Sequence, residues 1–175
     1  MYSAWRTIPA MEETLTESRS YSLAVIMQRR ALANRWVSEQ WEAKGVVRDL
    51  GADASVRVIV DHTEVTEILH PGFHLTLKRD EAEGYYLNLT SPEPKVFVLW
   101  RPHDDTPRPE MLTVSYGEGT RWADSGEQVD GVALPLDLVP WIASFIEAHY
   151  RPEAPKKKRY ASNKDRGRMG PVGSR

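Results

Sequence analysis

The residues best suited to chemistry sit in two short runs. "RDEAEGYY" (79–86) carries Asp80, Glu81 and Glu83 beside Tyr85 and Tyr86, and "WRPHDD" (100–105) carries Arg101, His103, Asp104 and Asp105. Five carboxylates and an imidazole at one end of a sheet could hold a hard divalent cation through oxygen ligands. They could equally receive a basic partner. One carboxylate of a pair, desolvated until its pKa rises, could work as a general acid or base. The plainer use is that charged turns solvate hairpin ends and blunt sheet edges. The spacing matches no catalytic motif, so these residues are assigned to docking a partner, with no catalytic, cofactor or metal role.

Other candidates are weaker. His70 and His74 are four apart, but Pro71-Gly72 between them forbids the helix that would aim both at one metal. His149 falls on the apolar stripe of a helix and is expected to be a partly buried structural residue. Of six tryptophans, Trp36, Trp41, Trp100, Trp122 and Trp141 are expected at the core or its edge, with one or two exposed for binding. Lys156, Lys157, Lys158 and Arg159 form a basic run that could meet nucleic acid, an anionic surface or an acidic protein. No G-x-S-x-G, Walker loop, H-E-x-x-H or strand-linked G-x-G-x-x-G occurs.

The elements that must position these groups follow from periodicity. "SLAVIMQRR" (22–30), residues 34–50 and "VRVIV" (56–60) read as strands, with a turn at His70-Pro71-Gly72. Alternation then marks strands at 73–79, 85–90, 95–101 and 112–116, joined as an antiparallel meander. In that meander the turn after Lys78 and the end of the strand at Arg101 share one sheet end, which gathers the carboxylates. Trp122 anchors a short helix over 117–125. "LDLVPWIASFIEAHY" (136–150) has helical spacing, with Asp137 as N-cap and Pro152 beyond its end. The expected fold is α+β: a curved antiparallel sheet or small partly open barrel of six to seven strands, closed by the C-terminal helix.

Charge divides the chain. Residues 156–175 hold eight basic residues against one acid, a net of +7, whereas residues 1–155 hold 15 basic and 24 acidic, a net of −9. An acidic domain opposes phosphate, so nucleic-acid binding through the tail ranks below binding of a protein. The organisation expected is a polar arm (1–20), one domain (21–152) and a basic tail without fixed structure (153–175). Cysteine is absent, which removes disulfides and thiolate chemistry. No apolar run approaches a bilayer span, and a cytoplasmic setting is expected.

Four segments, "MQRRALANRWVSEQWEAKGV" (27–46), "LKRDEAEGYYLNLTSPEPKVFVLWR" (77–101), "SGEQVDGVALP" (125–135) and "FIEAHYRPE" (145–153), resemble an uncharacterised bacterial family, a domain of unknown function. Its members are typically encoded beside molybdenum-dependent formate dehydrogenase genes. The stretch 51–71 is longer than the family pattern, and the resemblance carries no catalytic residue. It implies a genetic neighbourhood; with the missing catalytic motifs and the charge split, the expected function is a non-enzymatic accessory protein that binds a protein partner, such as a formate dehydrogenase or a maturation factor of one. The alternatives are a small-molecule binding protein or enzyme, its ligand a molybdenum cofactor precursor with Tyr85, Tyr86, Arg101 and His103 around a barrel mouth, and a nucleic-acid binder acting through the basic tail.

Overall fold

The structure, a computed structural model, describes residues 20–33, 36–51, 53–104 and 106–152. The polar arm, Asp105 and the basic tail with Lys156, Lys157, Lys158 and Arg159 lie outside the described residues.

Four strands, β1 (Ser20–Ala31), β2 (Glu39–Arg48), β3 (Arg57–Asp61) and β4 (Val65–Thr76), form an antiparallel sheet in the order β2-β1-β4-β3. Three more, β5 (Lys95–Arg101), β6 (Arg108–Thr113) and β7 (Gln128–Ala133), form a second antiparallel sheet in the order β6-β5-β7. The helices are α1 (Ala82–Leu89), α2 (Tyr116–Asp124) and α3 (Val139–His149). The class is α+β, as the pattern implied, but the strands make two sheets and no closed barrel. No helix among the described residues is long and apolar enough to cross a membrane.

Period-two sequence explains the core. Leu23, Val25 and Met27 of β1 share one core cluster with Val96 and Val98 of β5 and with Tyr85, Leu138, Ile142 and Ile146 from the helical segments. Each such large apolar side chain, fully buried, contributes about 1.5–3 kcal/mol. β2 runs beside β7 and β4 beside β6, so β3 is left overhanging, packed chiefly on β4.

Several local readings need correction. The segment expected as a strand at 85–90 is helix α1. Ala82, Gly84, Tyr85 and Asn88 are its buried positions, and Leu87 is exposed. A backbone contact selects this packing: a Cβ on Gly84 would lie 2.2 Å from Ser115 Oγ. The expected strand at 112–116 lies at 108–113 instead, and Ser115 caps α2. Finally, His70-Pro71-Gly72 is no turn. β4 continues through it as a bulge, with Gly72 at φ +89° and its amide bonded to Asp49 Oδ2 at 2.9 Å.

α3 forms where its spacing placed it, with Pro140 in the first turn. Asp137 does not cap it. Its carboxylate accepts the Tyr21 hydroxyl at 2.7 Å, and a short 3-10 turn, Leu136–Leu138, leads into the helix.

Candidate docking surface

The charged knot divides in two. Because 82–89 is a helix, the chain from β4 to β5 crosses the fold rather than turning as a hairpin. Glu81 then lies against Ser115, just past Thr113, which pairs with Phe97. Arg101 pairs with Arg108 at the far end of β5, four residues or about 13 Å further along. The structure therefore does not bring Asp80, Glu81 and Glu83 to His103 and Asp104.

The first half is a joint between α1 and α2. The Ser115 hydroxyl, wholly buried, donates to Glu81 Oε2 at 2.5 Å and accepts the Glu118 amide at 3.1 Å as the N-cap of α2. Arg121 donates to the other Glu81 oxygen. Burial alone would raise the Glu81 pKa, but the Ser115 and Arg121 bonds outweigh it and hold the carboxyl below its usual range. Glu118 accepts the Thr113 hydroxyl at 2.6 Å and faces Lys78 Nζ at 3.4 Å. Tyr85 is buried, its hydroxyl accepting the Lys78 amide at 2.9 Å, and burial pushes its pKa up to about 12. Tyr86 packs on Tyr150, with ring centroids 5.2 Å apart. Of this group, Asp80 and Glu83 are exposed.

The second half is a surface clamp. Arg101 donates to Glu110 at 2.7 Å and to both Glu127 oxygens, at 2.9 and 2.5 Å. These bonds raise the Arg101 pKa and hold Glu127 below the usual carboxylate range. His103 Nδ1 lies 3.2 Å from Asp104, whose backbone is left-handed at φ +35°. Both are exposed. Thus Glu81, Tyr85 and Arg101 are engaged within the fold, whereas Asp80, Glu83, His103 and Asp104 are exposed.

The histidines also part. His70, 6% exposed, points into the core, and its Nε2 has no hydrogen-bond partner. His74 is exposed, with Nδ1 3.3 Å from Ser22 Oγ. His149 is exposed too, contrary to expectation, and packs edge-on against Phe145 at 4.4 Å between centroids. No group of metal-ligating side chains is found among the described residues. Trp36 is 88% exposed at the β1–β2 connection, while Trp41, Trp100, Trp122 and Trp141 are half-buried.

The feature that sequence reasoning missed is the overhanging edge. Val58 and Ile59 of β3 are 55% and 43% exposed and Val56 just before it 59%, and among the described residues the strand is hydrogen-bonded along one side, by β4. Val58 stands opposite Ile68 and Val60 opposite Glu67, so Ile59 is the extra residue of a bulge. Edge strands are usually blunted by lysine, proline or cover. β6 carries Pro109, and β2 and β7 lie against each other, but β3 has an apolar middle. The connection from β2 secures it. Both Asp49 oxygens accept backbone amides, of Gly51 and Gly72, which hold this carboxyl below its usual range, and Arg57 lies 3.5 Å from Asp53.

Behind the edge, the outer face of the first sheet carries a polar chain. Lys44 pairs with Glu67, Gln28 donates to Glu67 at 2.7 Å, and Arg30 donates to Gln28 at 2.7 Å. The Lys44 and Gln28 contacts keep Glu67 ionised despite burial, with its pKa below the usual range. A 280 Å³ cavity on this face is floored by Ala24, Val47 and Leu69 and rimmed by Asp49, Asp53 and Arg57. A 480 Å³ groove elsewhere is lined by Asn88, Pro92, Lys95, Phe97 and Tyr116.

One family model, described as a protein of unknown function (DUF3305), matches residues 22–159. The chain belongs to the DUF3305 family. No curated protein and no solved structure matches it. In this DUF3305 chain the match runs through both sheets and all three helices and into the start of the basic tail.

Proposed function

We propose that this DUF3305 protein is a non-enzymatic accessory protein of the cytoplasm that docks a protein partner, and that the partner is a formate dehydrogenase or one of its maturation factors. The observation that carries the reading is β3, a strand with an exposed apolar middle that among the described residues pairs along one edge only, with β4. Such an edge offers backbone N–H and C=O groups to an extended segment of another chain, and its side chains supply apolar contact. The exposed carboxylates Asp80 and Glu83 would steer a basic partner toward the domain without fixing the contact. The choice of formate dehydrogenase rests on the family resemblance described above.

The test is affinity co-purification with mass spectrometry from the native host, under conditions that induce formate dehydrogenase. Recovery of a dehydrogenase subunit or a maturation factor supports the reading. A partner-free preparation contradicts it.

A further inference from the structure

We infer that the edge of β3 is self-complementary, and that in the absence of another partner it pairs with β3 of a second copy of this chain. This rests on reading β3 as a docking element, and adds what occupies it when the protein is alone.

The strand reads Arg57-Val58-Ile59-Val60-Asp61. It has a cation at one end, a carboxylate at the other and three β-branched apolar residues between. Two copies related by a two-fold axis can pair their edges only antiparallel. That pairing centres Ile59 on its counterpart and brings each copy's Arg57 to the level of the other copy's Asp61. A parallel pairing would set like charges together. The sign pattern therefore selects the two-fold arrangement.

The bulge at Ile59 limits how tight this contact is. Arg57 is level with Leu69 on β4 and Asp61 with Thr66, and the extra residue between them puts the two charges on opposite faces of the sheet. They meet across the strand ends rather than as a close ion pair, so the charges set direction while Val58, Ile59 and Val60 supply contact. Val56, just outside the strand and exposed, extends the apolar strip. A five-residue strand makes a small interface, so the dimer is weak and depends on concentration. It also closes on itself. Each copy spends the overhanging edge of β3, and two sheets of order β2-β1-β4-β3 join as eight strands in a contact that closes on itself.

The inference is tested on the purified full chain by sedimentation velocity over roughly a hundredfold range of concentration, with hydrogen exchange of the β3 amides read at both ends of the range. Wild type is expected to pass from monomer to dimer, with protection of the β3 amides rising in step. Ile59→Lys, at a position already open to solvent, is expected to weaken the dimer at least tenfold with circular dichroism unchanged. Arg57→Asp and Asp61→Arg are each expected to weaken it, and the double variant carrying both, which restores opposite signs at the two ends, recovers it. A monomer at every concentration overturns the inference, as does a dimer that Ile59→Lys leaves intact or a double variant no better than the singles. The proposed function fails separately: a dimer with no dehydrogenase partner defeats that reading alone, and a recovered partner with a strictly monomeric protein defeats this one alone.

Discussion

Asp130 and Trp100 are joined by a 2.7 Å hydrogen bond from the indole Nε1 to Oδ2, and the same oxygen accepts the Ala43 amide of β2, also at 2.7 Å. One carboxylate on β7 thus ties the second sheet to the first where β2 bulges around Lys44. Removing it leaves two N–H donors without their acceptor, each worth about 1–3 kcal/mol if water does not replace it. Asp130→Ala is expected to lower urea-unfolding stability by about 2–4 kcal/mol. Asp130→Asn, which keeps an acceptor oxygen, should lose less. Equal losses would show that the charge, rather than the acceptor, holds the seam.

The α1–α2 joint predicts a coupled pair. Gly84→Ala would put a methyl 2.2 Å from Ser115 Oγ, so backbone or helix must shift, at a cost of about 1–3 kcal/mol. Ser115→Ala alone loses the α2 cap and the bond to Glu81, about 1–2 kcal/mol. Combined, the two changes are expected to cost less than their sum, because removing the hydroxyl makes room for the methyl. Strict additivity in urea melts would mean that the two helices do not meet there as described.

His70 gives the pH dependence. Burial, then the nearby Arg108 charge, lowers its pKa from the ordinary 6.5, and its Nε2 lacks a partner. The unfolded chain therefore binds a proton more readily than the fold does, so stability is level above about pH 6.5 and falls as pH drops below it. His70→Leu should flatten the stability curve between about pH 5 and 7. The depressed carboxyls Glu67 and Glu81 act lower, their stabilisation being lost only as pH falls below the ordinary carboxylate range. An unchanged slope in His70→Leu would rule out this imidazole as the source.

Asp80 and Glu83 are exposed, so their part in docking should be electrostatic and sensitive to salt. Asp80→Asn with Glu83→Gln is expected to slow association with a basic partner at low ionic strength and to converge with wild type at high salt. Stopped-flow association rates measure this. A loss that persists at high salt would instead indicate direct, buried contact.

The legible parts of the fold were those where local pattern and tertiary context agree. β1, β5 and α3 are legible from apolar spacing, since Leu23, Val25 and Met27, Val96 and Val98, and Ile142 and Ile146 are periodic positions that also join the core. α1 was not legible, because Tyr85, Leu87 and Leu89 also alternate. What selects the helix is the approach of Gly84 to Ser115, a contact across 31 residues that no local window contains. The candidate site failed with it. Once 82–89 is helical, Glu81 turns to Ser115 and Arg121, while Arg101 turns to Glu110 and Glu127. The edge at β3 was hidden for another reason. "VRVIV" reads the same in a buried strand as in an exposed one, and it is the strand order, with four strands over three, that leaves it uncovered among the described residues.

The central claim is that β3 docks the partner, and a paired co-purification tests it most directly. Wild-type and Ile59→Lys baits are expressed at equal level in the native host under formate dehydrogenase induction, and the captured proteins are quantified by mass spectrometry. The account predicts that a dehydrogenase subunit or maturation factor accompanies wild type and falls at least tenfold with Ile59→Lys, the loss expected when a charge enters an apolar contact. Equal recovery by both baits would contradict it and move the docking site away from β3.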